Sequence, residues 1–151
     1  IYNIKNYDAI FLNGEKKNRK LEILLKKINE NIKIFYGKYL PKNLNIFNRN
    51  KEFIYFSGLG NPDEFERTLK KNNFKIKKKI IFPDHYKFSD FEIKNIKKIA
   101  KEEKLEIITT EKDYIRLSKK NRNNIKFLKI ELKVKNSKNF IKFLKKRIWK
   151  N

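Results

Sequence analysis

Phe53-Ile54-Tyr55-Phe56-Ser57-Gly58-Leu59-Gly60-Asn61-Pro62 is the stretch on which the reading of the fold turns. Its first four residues are an unbroken apolar run, the signature of a short strand buried on both faces. The run ends at a polar turn carrying Gly58 and Gly60. Asn61 then reads as an N-cap and Pro62 as the first-turn proline of a helix, with Phe65 and Leu69 on one face. A strand that passes through a short turn directly into a helix is the opening of a βα unit.

The pattern repeats downstream. Lys79-Ile80-Ile81-Phe82 ends a second strand, and Ser89 with Glu92 forms a capping box in which each side chain satisfies an orphan backbone donor. Ile93, Ile96, Ile99 and Ala100 follow at helical spacing, with Lys94, Lys97, Lys98 and Lys101 facing water. Leu105-Glu106-Ile107-Ile108 reads as a third strand, and Thr110 with Asp113 as the cap of another helix. Leu128, Ile130, Leu132 and Val134 alternate with Lys129, Glu131, Lys133 and Lys135, so this stretch is expected to be one strand near a sheet edge. Ser137 is expected to cap a closing helix striped by Phe140, Ile141, Leu144 and Ile148. Repeated βα units imply an α/β fold, a mainly parallel sheet with helices on both faces.

The first fifty residues read differently. Ala9-Ile10-Phe11-Leu12 suits a strand, Asn13 to Leu25 a turn running into a basic helix, and Ile32 to Leu40 an extended segment stopped by Pro41. The expected boundary lies near residue 50, dividing the chain into 1–50 and 51–151.

Composition narrows the chemistry. The 151 residues contain no cysteine, which removes disulfides, zinc–thiolate sites and a cysteine nucleophile, and a single histidine, His85. There is no methionine and the first residue is Ile1, so the numbering is expected to start inside a longer protein. No apolar run has the length of a membrane span, and no signal peptide is evident. The net charge of +23 would favour nucleic acid or an anionic membrane surface. However, the cations are overwhelmingly lysine, and the planar fork of arginine that reads base edges is confined to Arg19, Arg49, Arg67, Arg116, Arg122 and Arg147. Lysine, asparagine and isoleucine spread along the whole chain fit the codon bias of an A+T-rich genome.

Ligands of open parallel sheets bind beyond the carboxyl ends of the strands. Three polar loops fall there: Ser57 to Pro62, Pro83-Asp84-His85-Tyr86, and Thr109-Thr110-Glu111-Lys112-Asp113. Each alone has a bland explanation as a turn or a helix cap. Gly58-Leu59-Gly60 begins like a dinucleotide fingerprint, but Asp63 occupies the third glycine position. No glycine-rich P-loop is present. His85 has the side chain best suited to acid–base work near neutrality.

Together, in order and at these spacings, the loops resemble the tetraacyldisaccharide 4'-kinase (lipid A 4'-kinase) family. The matching stretches are Phe56 to Pro62 with Phe65 and Leu69, Phe82 to Tyr86, and Thr109 to Asp113 with Arg116 and Leu117, joined by Asp8 to Gly14 near the start. The resemblance implies the C-terminal part of a P-loop-type kinase. Residues 1–50 would be the end of its N-terminal domain and a strand-like connector, and 51–151 its C-terminal α/β domain. It implies transfer of the ATP γ-phosphate, with Mg²⁺, to the 4'-hydroxyl of a tetraacyldisaccharide 1-phosphate, a lipid A precursor, by an enzyme peripheral to the cytoplasmic face of the bacterial inner membrane. By the same match His85 would be catalytic, supporting deprotonation of the sugar hydroxyl alongside an aspartate of the P-loop domain. Asp84, Ser57, Gly58, Gly60 and Thr110 would be supporting loop residues. ATP and Mg²⁺ are expected to be held mainly by the missing P-loop half, supplied in cis or in trans, with no metal ligands here, and this chain alone is expected not to transfer phosphate. The rival reading is a basic module that binds nucleic acid or a membrane surface without catalysis. Nucleic acid is the weaker of those two, because most aromatics occupy core-like positions.

Overall fold

A computed structural model of the protein describes residues 2–14 and 17–148. In chain order its strands and helices are β1 (Ala9–Asn13), α1 (Arg19–Ile28), β2 (Lys33–Pro41), β3 (Glu52–Ser57), α2 (Pro62–Lys71), β4 (Lys75–Ile81), α3 (Asp90–Glu102), β5 (Glu106–Thr110), α4 (Glu111–Arg116), β6 (Ile125–Leu128), β7 (Ile130–Val134) and α5 (Ser137–Ile148). They divide into two compact units. A middle unit runs from Pro41 to Ile130, and an end unit combines Ile1–Leu40 with Glu131–Asn151.

The middle unit is the expected α/β layer structure. Its sheet has the order β4-β3-β5-β6, and every adjacent pair is parallel. The run 53–56 forms the interior of β3, and each of its residues is at most 1% exposed. Alternate side chains of a strand leave opposite faces. Ile54 and Phe56 therefore join Ile107 and Ile125 in a core with Ile93, Ile96 and Ala100 of α3. Phe53 and Tyr55 join Ile108 and Leu128 in a second core with Phe65 and Leu69 of α2. Burying each such side chain contributes about 1.5–3 kcal/mol, so helices cover both faces for a direct energetic reason.

Local signals set the helix ends. The Ser89–Glu92 capping box is present at the start of α3. The Thr110 hydroxyl accepts from the Asp113 N–H at the start of α4. Asn61 occupies the N-cap position of α2 with Pro62 behind it, but its side chain makes no capping hydrogen bond. Ser137 is the first residue of α5 and not its cap; the Asn136 carbonyl accepts from Asn139 and Phe140 instead.

The end unit holds a three-stranded sheet of order β1-β2-β7, with β1 and β2 parallel. This departs from the sequence reading in two ways. The alternating stretch 128–135 is two strands in two sheets. The Lys129 N–H donates to Asn43 Oδ1 at 2.8 Å, and its carbonyl accepts from the Lys42 N–H at 2.9 Å, which takes that residue out of the ladder. The chain is therefore not divided at residue 50 with all of 51–151 together. Because β7 pairs in the sheet of β1 and β2, it falls with the end unit along with α5.

Candidate functional site

In a parallel sheet the strands end together, and the loops after β3, β4 and β5 meet at the carboxyl edge of the middle unit. The Phe82 N–H donates to the Ser57 carbonyl at 2.9 Å, and the Gly58 N–H donates to Asp113 Oδ2 at 3.0 Å. These two bonds tie the first loop to the second and to the third.

Space is short at both glycines. Neither has a positive φ. A Cβ on Gly58 would lie 3.2 Å from the Pro83 carbonyl oxygen, and one on Gly60 would lie 3.2 Å from Asp84 Oδ2. The turn is packed against the second loop, with the Asp84 carboxylate beside Gly60.

His85 sits at the tip of the second loop. Phe82 and Tyr86 stack with centroids 4.8 Å apart, and Phe88 meets both edge-on at 5.1 and 5.7 Å. The Tyr86 hydroxyl donates to Glu92 Oε1 at 2.6 Å, joining the loop to the capping box of α3. That bond, with the Ser89 N–H and hydroxyl, holds the Glu92 carboxyl below its ordinary range. His85 itself adopts φ 61°, a left-handed conformation that costs an L-residue about 1–2 kcal/mol. Asp84 offsets this by accepting the His85 N–H on Oδ1 at 2.9 Å. Partial burial works against the Asp84 charge, but the His85 N–H, the His85 ring and the Lys112 ammonium at 3.6 Å together keep its carboxyl below the usual value.

The third loop supplies the anchor. Asp113 is fully buried, and its Oδ2 accepts from the Gly58 N–H and from the Thr110 hydroxyl at 2.7 Å. Its Oδ1 lies 3.5 Å from Arg116 Nη1. Arg116 Nη2 in turn reaches His85 Nδ1 at 3.0 Å. A continuous polar chain thus runs from Gly58 and Thr110 through Asp113 and Arg116 to His85.

The family model for tetraacyldisaccharide-1-P 4'-kinase matches residues 1–149. The chain belongs to the tetraacyldisaccharide 4'-kinase family. The tetraacyldisaccharide 4'-kinase of Pelagibacter ubique is 40% identical over 100% of this chain and 48% of its own length. That of Rickettsia akari is 37% identical over 85% of this chain and 38% of its own. The chain thus spans less than half the length of these relatives. A crystal structure of the Aquifex aeolicus enzyme LpxK in complex with ATP superposes with a TM-score of 0.56 at 24% identity, covering 98% of this chain and 45% of that one. At that identity the likeness concerns the fold.

Within this tetraacyldisaccharide 4'-kinase fold, the structure gathers Ser57, Gly58, Gly60, Asp84, His85 and Thr110 on one sheet edge. They are not equivalent. Ser57 is fully buried, and its hydroxyl has no hydrogen-bond partner. Thr110 acts on Asp113 and not on the open surface. The His85 side chain is 72% exposed and open to a reactant. The sequence reading treats Asp113 as a cap and gives Arg116 no role. Their i, i+3 spacing, which places both on one helical face, is the signal that could have found them. Among the described residues no group of three or more His, Cys, Asp or Glu side chains could hold a metal ion.

Proposed function

We propose that this chain is the C-terminal portion of a lipid A 4'-kinase, and that His85 is its catalytic contribution to phosphorylating the 4'-hydroxyl of a tetraacyldisaccharide 1-phosphate. The observation that carries this reading is the convergence of three family-like loops on one exposed imidazole, held by Arg116 and Asp84 at a sheet edge. A sugar hydroxyl is a poor nucleophile until its proton has an acceptor; on this reading an aspartate of the P-loop half takes the proton, and the imidazole supports it as a hydrogen-bond donor. On this reading ATP and Mg²⁺ are held by the remaining part of the enzyme, in cis or in trans. The sequence, in which no glycine-rich P-loop is present, supports that division.

By the same reading the 151-residue chain alone does not transfer phosphate. The enzyme works peripherally at the cytoplasmic face of the bacterial inner membrane, where exposed lysines suit an anionic surface. No helix among the described residues is long and apolar enough to cross a membrane. The test is a 4'-kinase assay on the intact enzyme carrying His85→Ala. Turnover is expected to fall roughly 10²- to 10⁴-fold. Turnover within a few-fold of the parent would remove His85 from the chemistry.

A further inference from the structure

We propose that Arg116 is the positioning residue of this site: seated against buried Asp113, it donates from Nη2 to His85 Nδ1 and so fixes the ring tautomer that carries its proton on Nε2. The proposal rests on the reading of His85 as the catalytic residue. A guanidinium has only donors and does not give up its charge. The 3.0 Å contact between Arg116 Nη2 and His85 Nδ1 is therefore a hydrogen bond only when Nδ1 bears the lone pair. In the neutral ring the proton then lies on Nε2, which is 3.7 Å from Asp84 Oδ2. Nε2–H is left as the edge that can meet a substrate oxygen or a carboxylate.

Arg116 is held far more firmly than the ring it contacts. Its side chain is 25% exposed, against 72% for His85 and 0% for Asp113. Arg116 Nη1 and Asp113 Oδ1 face one another at 3.5 Å, both enclosed, and neither has a hydrogen-bond partner of its own. Asp113 is in turn fixed by the Gly58 N–H and the Thr110 hydroxyl. The other charges near the ring are Asp84 and, 3.6 Å from it, Lys112. Without Arg116, nothing given by the third loop would set the rotation or the tautomer of an exposed imidazole.

His85 is the only histidine, so histidine-selective nitrogen-15 labelling of this chain gives one ring signal pair. The expected spectrum has the proton on Nε2 and an Nδ1 resonance displaced as in a hydrogen-bond acceptor. Arg116→Gln should return Nδ1 to the position of a free acceptor, with Arg116→Lys in between. In the intact kinase, Arg116→Gln should lower kcat roughly ten- to a hundredfold with KM little changed, and Arg116→Lys should recover part of the loss. A ring proton on Nδ1 in the parent, or an Nδ1 resonance that neither variant moves, overturns the assignment even if activity falls. If Arg116→Gln does not fold, Arg116→Lys decides the matter by the same resonance. Normal turnover of His85→Ala would instead overturn the functional reading without touching the resonance result, so the two failures are distinguishable.

Discussion

The two units make their interiors in different ways. In the middle unit, β3 is buried from Phe53 to Ser57, and two cores press on the sheet from opposite sides. In the end unit, among the described residues, only Leu25 and Ile32 are buried apolar side chains, and α5 buries none. Its cohesion comes from half-buried rings, with Phe140 against Phe11 and Phe35 at 5.6 and 4.9 Å, and Phe143 against Phe35 at 5.2 Å. The difference teaches where geometry can be held tightly. Placing a histidine and a guanidinium to a fraction of an ångström needs locked neighbours, and the middle unit is where they exist.

Three measurements would break or sharpen this contrast. The largest effect is expected in the core. Phe53→Ala should cost about 3–5 kcal/mol in a urea titration read on amides of the middle unit. Phe140→Ala, read on the end unit, should cost well under that. Equal losses would mean that the end unit has a true core.

Next comes acid. Glu66 of α2 accepts from Tyr55 at 2.9 Å and pairs with Lys70 at 2.6 Å and Lys79 at 3.0 Å. Lys70, then Lys79 and Tyr55, hold its carboxyl down from the ordinary 4.5 to about 2, while burial and Glu66 hold the Tyr55 phenol up. As pH falls, the unfolded chain protonates this carboxyl first. The stability that Glu66 contributes is thus complete above about pH 4.5 and lost on the way to about pH 2. Acid melts of the parent should be steeper across that window than those of Glu66→Gln. Parallel curves would mean the network contributes nothing.

The smallest effect lies at the helix ends. Both α2 and α3 finish with a left-handed residue, Asn73 at φ 59° and Lys104 at φ 55°. The next N–H turns back to the helix in each case, Phe74 to Leu69 at 3.1 Å and Leu105 to Ala100 at 2.8 Å. Lysine is poorly suited to this conformation and asparagine tolerates it. Lys104→Gly should raise stability by about 1 kcal/mol in thermal melts, and Asn73→Gly by less. No gain at Lys104 would show that its helix end is not strained.

What the sequence disclosed follows from the range of the forces involved. An unbroken run such as 53–56 has one satisfactory environment, so its burial on both faces is legible, as is the capping box of Ser89 and Glu92, which is local. Residues 128–135 read as one strand because strand periodicity does not report which sheet a strand enters. That choice is made by Lys42 and Asn43, far away in the chain. His85 is legible as chemistry, and its partner is not. The bond from Arg116 joins the end of α4 to the loop after β4, and local spacing, which pairs Arg116 with Asp113, says nothing of His85.

The threading of the chain carries its own consequence for synthesis. The end unit needs β7, and the Lys135 N–H that donates to the Tyr36 carbonyl at 2.7 Å reaches back across the whole middle unit. A ribosome has released every strand of the β4-β3-β5-β6 sheet before the first residue of β7 appears. The nascent chain can thus complete the histidine-bearing sheet while β1 and β2 still wait for their third strand. The order of translation gives the better-packed unit the first opportunity to fold, and closing the other spans a long loop, the slower kind of contact to form.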